Sequence, residues 1–222
     1  MPRKIFYKYA HLYLTLGLVI VLLGFSTTYF SRLSDFSLPY HVHVISATLW
    51  MILLIVQPYL FQKGILKTHR YLGWISLLLV PLIVICGVIM MRLMIQGQVN
   101  YPPKLVYQLA FIDACTLLSF ALLYVLALYF RKKLMLHSRF MVATIFGPLL
   151  PALARMFLFT FGIASNFNQA LTYSYLAIEL VLLFIIWKER NKKEIKLTYV
   201  PFLVFIVVQH GLMYYVDDWV WW

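Results

Sequence analysis

Several ionisable side chains sit inside long apolar runs of this chain: His43, Asp113, Arg155, Glu179 and His210, with His41 two positions from His43. Ionisable groups in lipid-like surroundings are costly, face the interior of a bundle and mark sites by default. Neutral imidazole is the commonest biological metal ligand, and carboxylate completes such sites. His43, Asp113 and His210, with His41 as a fourth, therefore form a candidate zinc or copper set. Arg155 offers a guanidinium that clamps an anion bidentately. With Glu179, Trp50 and Gln57 it makes a candidate ligand-binding set. His43, Trp50 and Gln57 recur every seven residues, which places them on nearly one helical face. His69 and His137, 68 residues apart, each follow a basic turn and are candidate axial ligands for haem b, a second redox reading beside zinc or copper.

The elements that must position these groups are membrane helices. Of 222 residues, 64% are hydrophobic and 12% charged, against about 25% charged in a soluble domain. Apolar runs of about 20 residues match ~30 Å of hydrocarbon at 1.5 Å per residue. Lipid supplies no backbone partners, so continuous runs without strict alternation favour helices over a closed barrel. Seven spans are expected, at residues 6–30, 40–61, 71–93, 107–130, 140–161, 171–187 and 197–216. The expected fold is an all-α polytopic membrane bundle forming one transmembrane domain over residues 1–222. The basic start PRKIFYKYAHLY is read as a retained first helix.

Charge sets the expected orientation. Fifteen basic residues fall on one side: Arg3, Lys4 and Lys8, then Lys63, Lys67 and Arg70, then Arg131, Lys132, Lys133 and Arg139, then Lys188, Arg190, Lys192, Lys193 and Lys196. The other side has Arg32, Arg92 and Lys104. The positive-inside rule places the N-terminus in the cytoplasm and the C-terminus outside, with Trp219, Trp221 and Trp222 at an aromatic interface. Basic loops beside anionic lipid account for the net charge of +12, so membrane lipids and no nucleic acid are the expected partners. The stretch KERNKKEIK reads as a solvated linker. Cys86 and Cys115 both fall inside spans, which leaves no extracellular disulfide framework.

The middle of the chain echoes itself. KGILKTHRYLGWISLLLVP and RKKLMLHSRFMVATIFGP each give a basic turn, a histidine, an aromatic-bearing helix start and a later proline. The echo predicts tandem hairpins building a four-helix core from helices 2–5, with helices 1, 6 and 7 around it. The segment HVHVISATLWMILLIVQPYLFQKGILKTHRYLGWISLLL, with HSRFM and an intramembrane arginine after it, resembles a family of uncharacterised bacterial multi-pass membrane proteins. The resemblance covers about residues 40–159 and implies architecture and a bacterial inner membrane, without an activity. The metal set is also similar to the three-histidine and acid sites of seven-helix membrane hydrolases of the alkaline ceramidase and adiponectin-receptor kind. It departs from them in helix 7, which has one histidine where that pattern has a pair four residues apart.

By depth, His43, Asp113, Arg155 and His210 fall in the outer half, Glu179 near the midplane, and the inner half is almost purely apolar. This predicts an outward-opening polar pocket, with Asp113 and Arg155 in direct or water-bridged contact and His43 rather than His41 facing the bundle. Two classes of function follow: a metal- or haem-binding membrane protein, or one that binds, transports or senses a small anionic or lipid-like ligand without catalysis. A purely structural membrane subunit is the third reading. Walker, dinucleotide and His-Glu-x-x-His motifs are absent, which argues against nucleotide-driven pumping by this chain.

Overall fold

The computed structural model describes residues 9–97 and 101–216. The expectations for the basic start up to Lys8 and for the tryptophans at 219, 221 and 222 lie outside the described residues. Among the described residues the fold is all helix, with no strand. Helices α1 (Ala10–Ser26), α2 (Leu38–Gln62), α3 (Leu66–Ile95) and α4 (Pro103–Tyr129) come first. The fifth span is built from α5 (Leu134–Ala143), α6 (Phe146–Arg155) and a π-helical turn, Met156–Thr160. Helix α7 (Phe167–Lys188), the short α8 (Lys193–Leu197) and α9 (Tyr199–Leu212) complete the chain. Among the described residues six helical stretches are long and apolar enough to cross a membrane, and α1 is a shorter apolar helix of 17 described residues. The chain is an integral, multi-pass membrane protein in contact with lipid.

Local sequence explains the ends. Pro39 and Pro103 lie in the first turns of α2 and α4, where a missing N–H costs nothing. Gly64, with φ +76°, ends α2. Its N–H reaches Phe61 O at 3.1 Å, and the next N–H reaches Leu60 O at 2.9 Å. This left-handed closure satisfies the last carbonyls and lets α3 start at once. Asn166 caps α7 by accepting from the Gln169 N–H at 2.9 Å.

The two hairpins expected from the echo are present as α2–α3 and as α4 with α5, and α3 joins them by packing on α4. Helix α1 is more than a flanking helix. It packs on α2 on one side and on α6 on the other, so spans 1 to 5 close a ring. Glycine makes the second contact possible: a Cβ on Gly24 would sit 2.3 Å from Ala152 O, and one on Gly17 would sit 2.5 Å from Ile145 Cδ1. Close backbone approach at small residues is how membrane helices gain contact without a hydrophobic drive. Helix α7 packs on α6 and α9 on α7, outside that ring. Gln108 and Gln209 tie α9 back to α4 by donating to Met213 O at 3.3 Å and to Ile112 O at 3.1 Å.

Candidate ligand-binding site

The ring encloses a cavity of about 240 Å³. Its walls come from α1, α2, α3, α4 and α6, with Phe167 and Leu171 of α7. Most of the lining is apolar or aromatic, and His43, Tyr101, Asp113 and Arg155 are its titratable members. Phe30 and Tyr101, from connections opposite the basic loops, line it as well, so the cavity reaches towards that end. Asp113 lies ten residues into α4, roughly 15 Å along the axis. Arg155 closes α6, one turn before the span ends.

The break in the fifth span places Arg155. At Thr144 and Ile145 the ladder tightens, with N–H bonds to Met141 O at 3.2 Å and Val142 O at 3.1 Å. Pro148 and Pro151 remove two further donors just beyond. Irregular backbone at membrane depth is tolerated where it is buried in protein or lines a cavity, and α6 lines this one. The Arg155 guanidinium donates from Nη1 to Pro151 O at 3.0 Å and lies 4.7 Å over the Phe25 ring. No direct ion pair joins it to Asp113, although its charge acts on that carboxyl. Among the described residues Asp113 has no hydrogen-bond partner. Both groups therefore present uncommitted hydrogen-bonding capacity to one space.

The face shared by His43, Trp50 and Gln57 does turn to the bundle, but each residue works at a different depth. His43 Nδ1 donates to Ile83 O at 3.2 Å and the residue lines the cavity. Trp50 lines it too, while its Nε1–H is spent on Thr144 Oγ1 at 3.2 Å and its ring meets Phe120 and Tyr124 edge-on. Gln57 lies away from the cavity, near the basic end, where it donates to His69 O at 3.1 Å. His41 is also apart: Nδ1 bonds the Tyr29 hydroxyl at 2.6 Å and Nε2 donates to Phe36 O at 3.1 Å.

His210 and Glu179 pair with each other at 2.9 Å, between α9 and α7, and do not line the cavity. Tyr175 stacks on the His210 ring at 4.8 Å. His43, Asp113, His210 and His41 thus do not gather: among the described residues no three His, Cys, Asp or Glu side chains form a group that could hold a metal ion. His69 and His137 clamp their hairpins, with Nδ1 donating to Gln57 O at 3.3 Å and to Ala127 O at 2.8 Å.

Three polar features were missed in the sequence. The half of the bundle at the basic end is not purely apolar, because Ser76 and Tyr124 bond at 2.8 Å between α3 and α4. Arg139, expected in a basic loop, is fully buried in α5 and donates to Glu189 at 2.8 Å. The stretch after α7 is no simple solvated linker, since Glu189 also takes Lys192 at 2.7 Å and Ile195 is 1% exposed. The acids Glu189 and Glu194 within a basic run were the available signal. Burial raises the Glu189 carboxyl, but hydrogen bonds from Lys192 and Arg139, with their charges, outweigh it and hold the group below its ordinary range. No family model, curated protein or solved structure matches the chain.

Proposed function

We propose that the chain is a membrane receptor or carrier for a small, mostly apolar molecule with a polar head, held inside the ring of spans 1 to 5. One observation carries the reading: Asp113 and Arg155 line the same apolar cavity and neither satisfies the other. Groups left this way at membrane depth are functional suspects, and an apolar pocket with a few convergent polar groups is the usual form of a ligand site. The volume of about 240 Å³ falls just short of the ~300–1,000 Å³ of drug-sized sites, which fits a small molecule. The cytoplasmic N-terminus, external C-terminus and bacterial inner membrane belong to the same proposal, carried by the charge asymmetry and the family resemblance. In that orientation the cavity opens outward.

The test is extraction. Protein purified in mild detergent is denatured in organic solvent and its small molecules are compared by mass spectrometry with those of Gly147→Leu. Gly147 lines the cavity, and a Cβ there meets only Thr116 Cγ2 at 3.6 Å, so a side chain fits the backbone and occupies the space. The expected result is a near-stoichiometric molecule in the native protein that is missing from the variant. Identical extracts would contradict the proposal.

A further inference from the structure

We infer that the molecule between Asp113 and Arg155 carries a phenolic hydroxyl, which donates to the Asp113 carboxylate and accepts from the Arg155 guanidinium. This rests on the cavity being a ligand site and names the chemistry of its occupant. The hydrogen-bonding polarity of the cavity is fixed by the protein. A carbonyl only accepts, so at 3.2 Å from Ile83 O the His43 Nδ1 atom carries the ring proton. Gly87 leaves room for that ring, since a Cβ there would stand 3.4 Å from His43 Cε1. The neutral imidazole keeps Nε2 as an acceptor. The Trp50 N–H is already spent on Thr144. Arg155 is the charged donor of the polar end, beside the hydroxyls of Thr48, Tyr101 and Thr116, and is set against acceptors at Asp113 and His43.

A carboxylate, an ammonium and a plain hydrocarbon each meet a conflict. A carboxylate places like charge against Asp113. An ammonium does the same against Arg155. A hydrocarbon leaves Asp113 without a hydrogen bond and Arg155 with only Pro151 O, which is costly in a dry site. A hydroxyl serves both at once, with one proton to give and lone pairs to receive. Phe25, Trp50, Phe120 and Phe167 line the walls, which favours an aromatic body. A free phenol and a lipid-borne quinol share this chemistry.

The test uses the whole protein in lipid nanodiscs, with empty nanodiscs subtracted. Competition against labelled 4-propylphenol is measured for 4-propylphenol, propylbenzene, 4-propylbenzoate and 4-dodecylphenol. The native protein is expected to favour 4-propylphenol over propylbenzene and the benzoate by about ten-fold or more, the scale of hydrogen bonds to charged groups. Asp113→Asn and Arg155→Gln are each expected to lose that preference while still binding propylbenzene. Tighter binding of 4-dodecylphenol assigns a lipid-borne phenol; tighter binding of 4-propylphenol assigns a free one. Equal affinity of the native protein for phenol and propylbenzene overturns the inference but leaves the cavity as a ligand site. Binding of no probe, or binding untouched by Gly147→Leu, overturns both. If a charge variant fails to fold, the head preference of the native protein decides alone.

Discussion

Arg139 has no exposed surface, and its charge is met by Glu189, whose side chain is 13% exposed. Removing one partner of such a pair leaves a buried charge uncompensated, so Glu189→Gln is expected to cost about 3–5 kcal/mol of stability. Because the Glu189 carboxyl is held below its ordinary value of 4.5, its contribution is complete above that pH and is lost as pH falls through the lower folded value. Thermal unfolding in detergent should therefore be steady near neutrality and drop in acid, and Glu189→Gln should remove part of the acid drop. Seven-residue spacing was enough to turn His43 and Trp50 inward. Their partners were not legible, and the reason is physical. His43, His69 and His137 all bond main-chain carbonyls, and every residue type carries a carbonyl. Residue types alone could not show that the metal candidates His43, Asp113, His210 and His41 stand apart, with His210 paired to Glu179 and His41 bonded to Tyr29 and Phe36.

The same sequence device gives different results in the two echoed hairpins. Pro81 sits inside a continuous α3, whereas Pro148 follows a break and is joined by Pro151. One proline forfeits one hydrogen bond, which a long helix absorbs; two within a turn, beside the tightened ladder at Thr144, split the span. The existence and order of the helices were legible from apolar run length, and the terminal turns were not, since helices outrun the hydrocarbon where capping allows. The placement of α1 was illegible for another reason: a glycine face means close approach but does not say to which helix. Gly24 now has a named neighbour, and Gly24→Val is expected to destabilise by about 1–3 kcal/mol through overpacking against Ala152. Gly73→Ala, which meets nothing within 4 Å, should be neutral or slightly stabilising. Thermal melts of both variants check the pair, and an equal loss in the two would remove the α1–α6 contact from the account.

At the scale of the whole molecule, spans 1 to 5 surround the cavity while α7 and α9 brace it from outside. The proposed orientation predicts that reporter fusions after Lys196 and after Trp222 fall in opposite compartments; the same compartment would withdraw the last span. In the proposed function the ring holds an apolar molecule by a polar head at Asp113 and Arg155. Crystals of the native protein soaked in 4-iodophenol test it most directly, because iodine is located by its anomalous signal. A single strong peak is expected inside the ring, near Trp50 and Phe120, with the hydroxyl between Asp113 and Arg155. Iodine found only on the lipid-facing surface, with the cavity closed or filled by side chains, would contradict it.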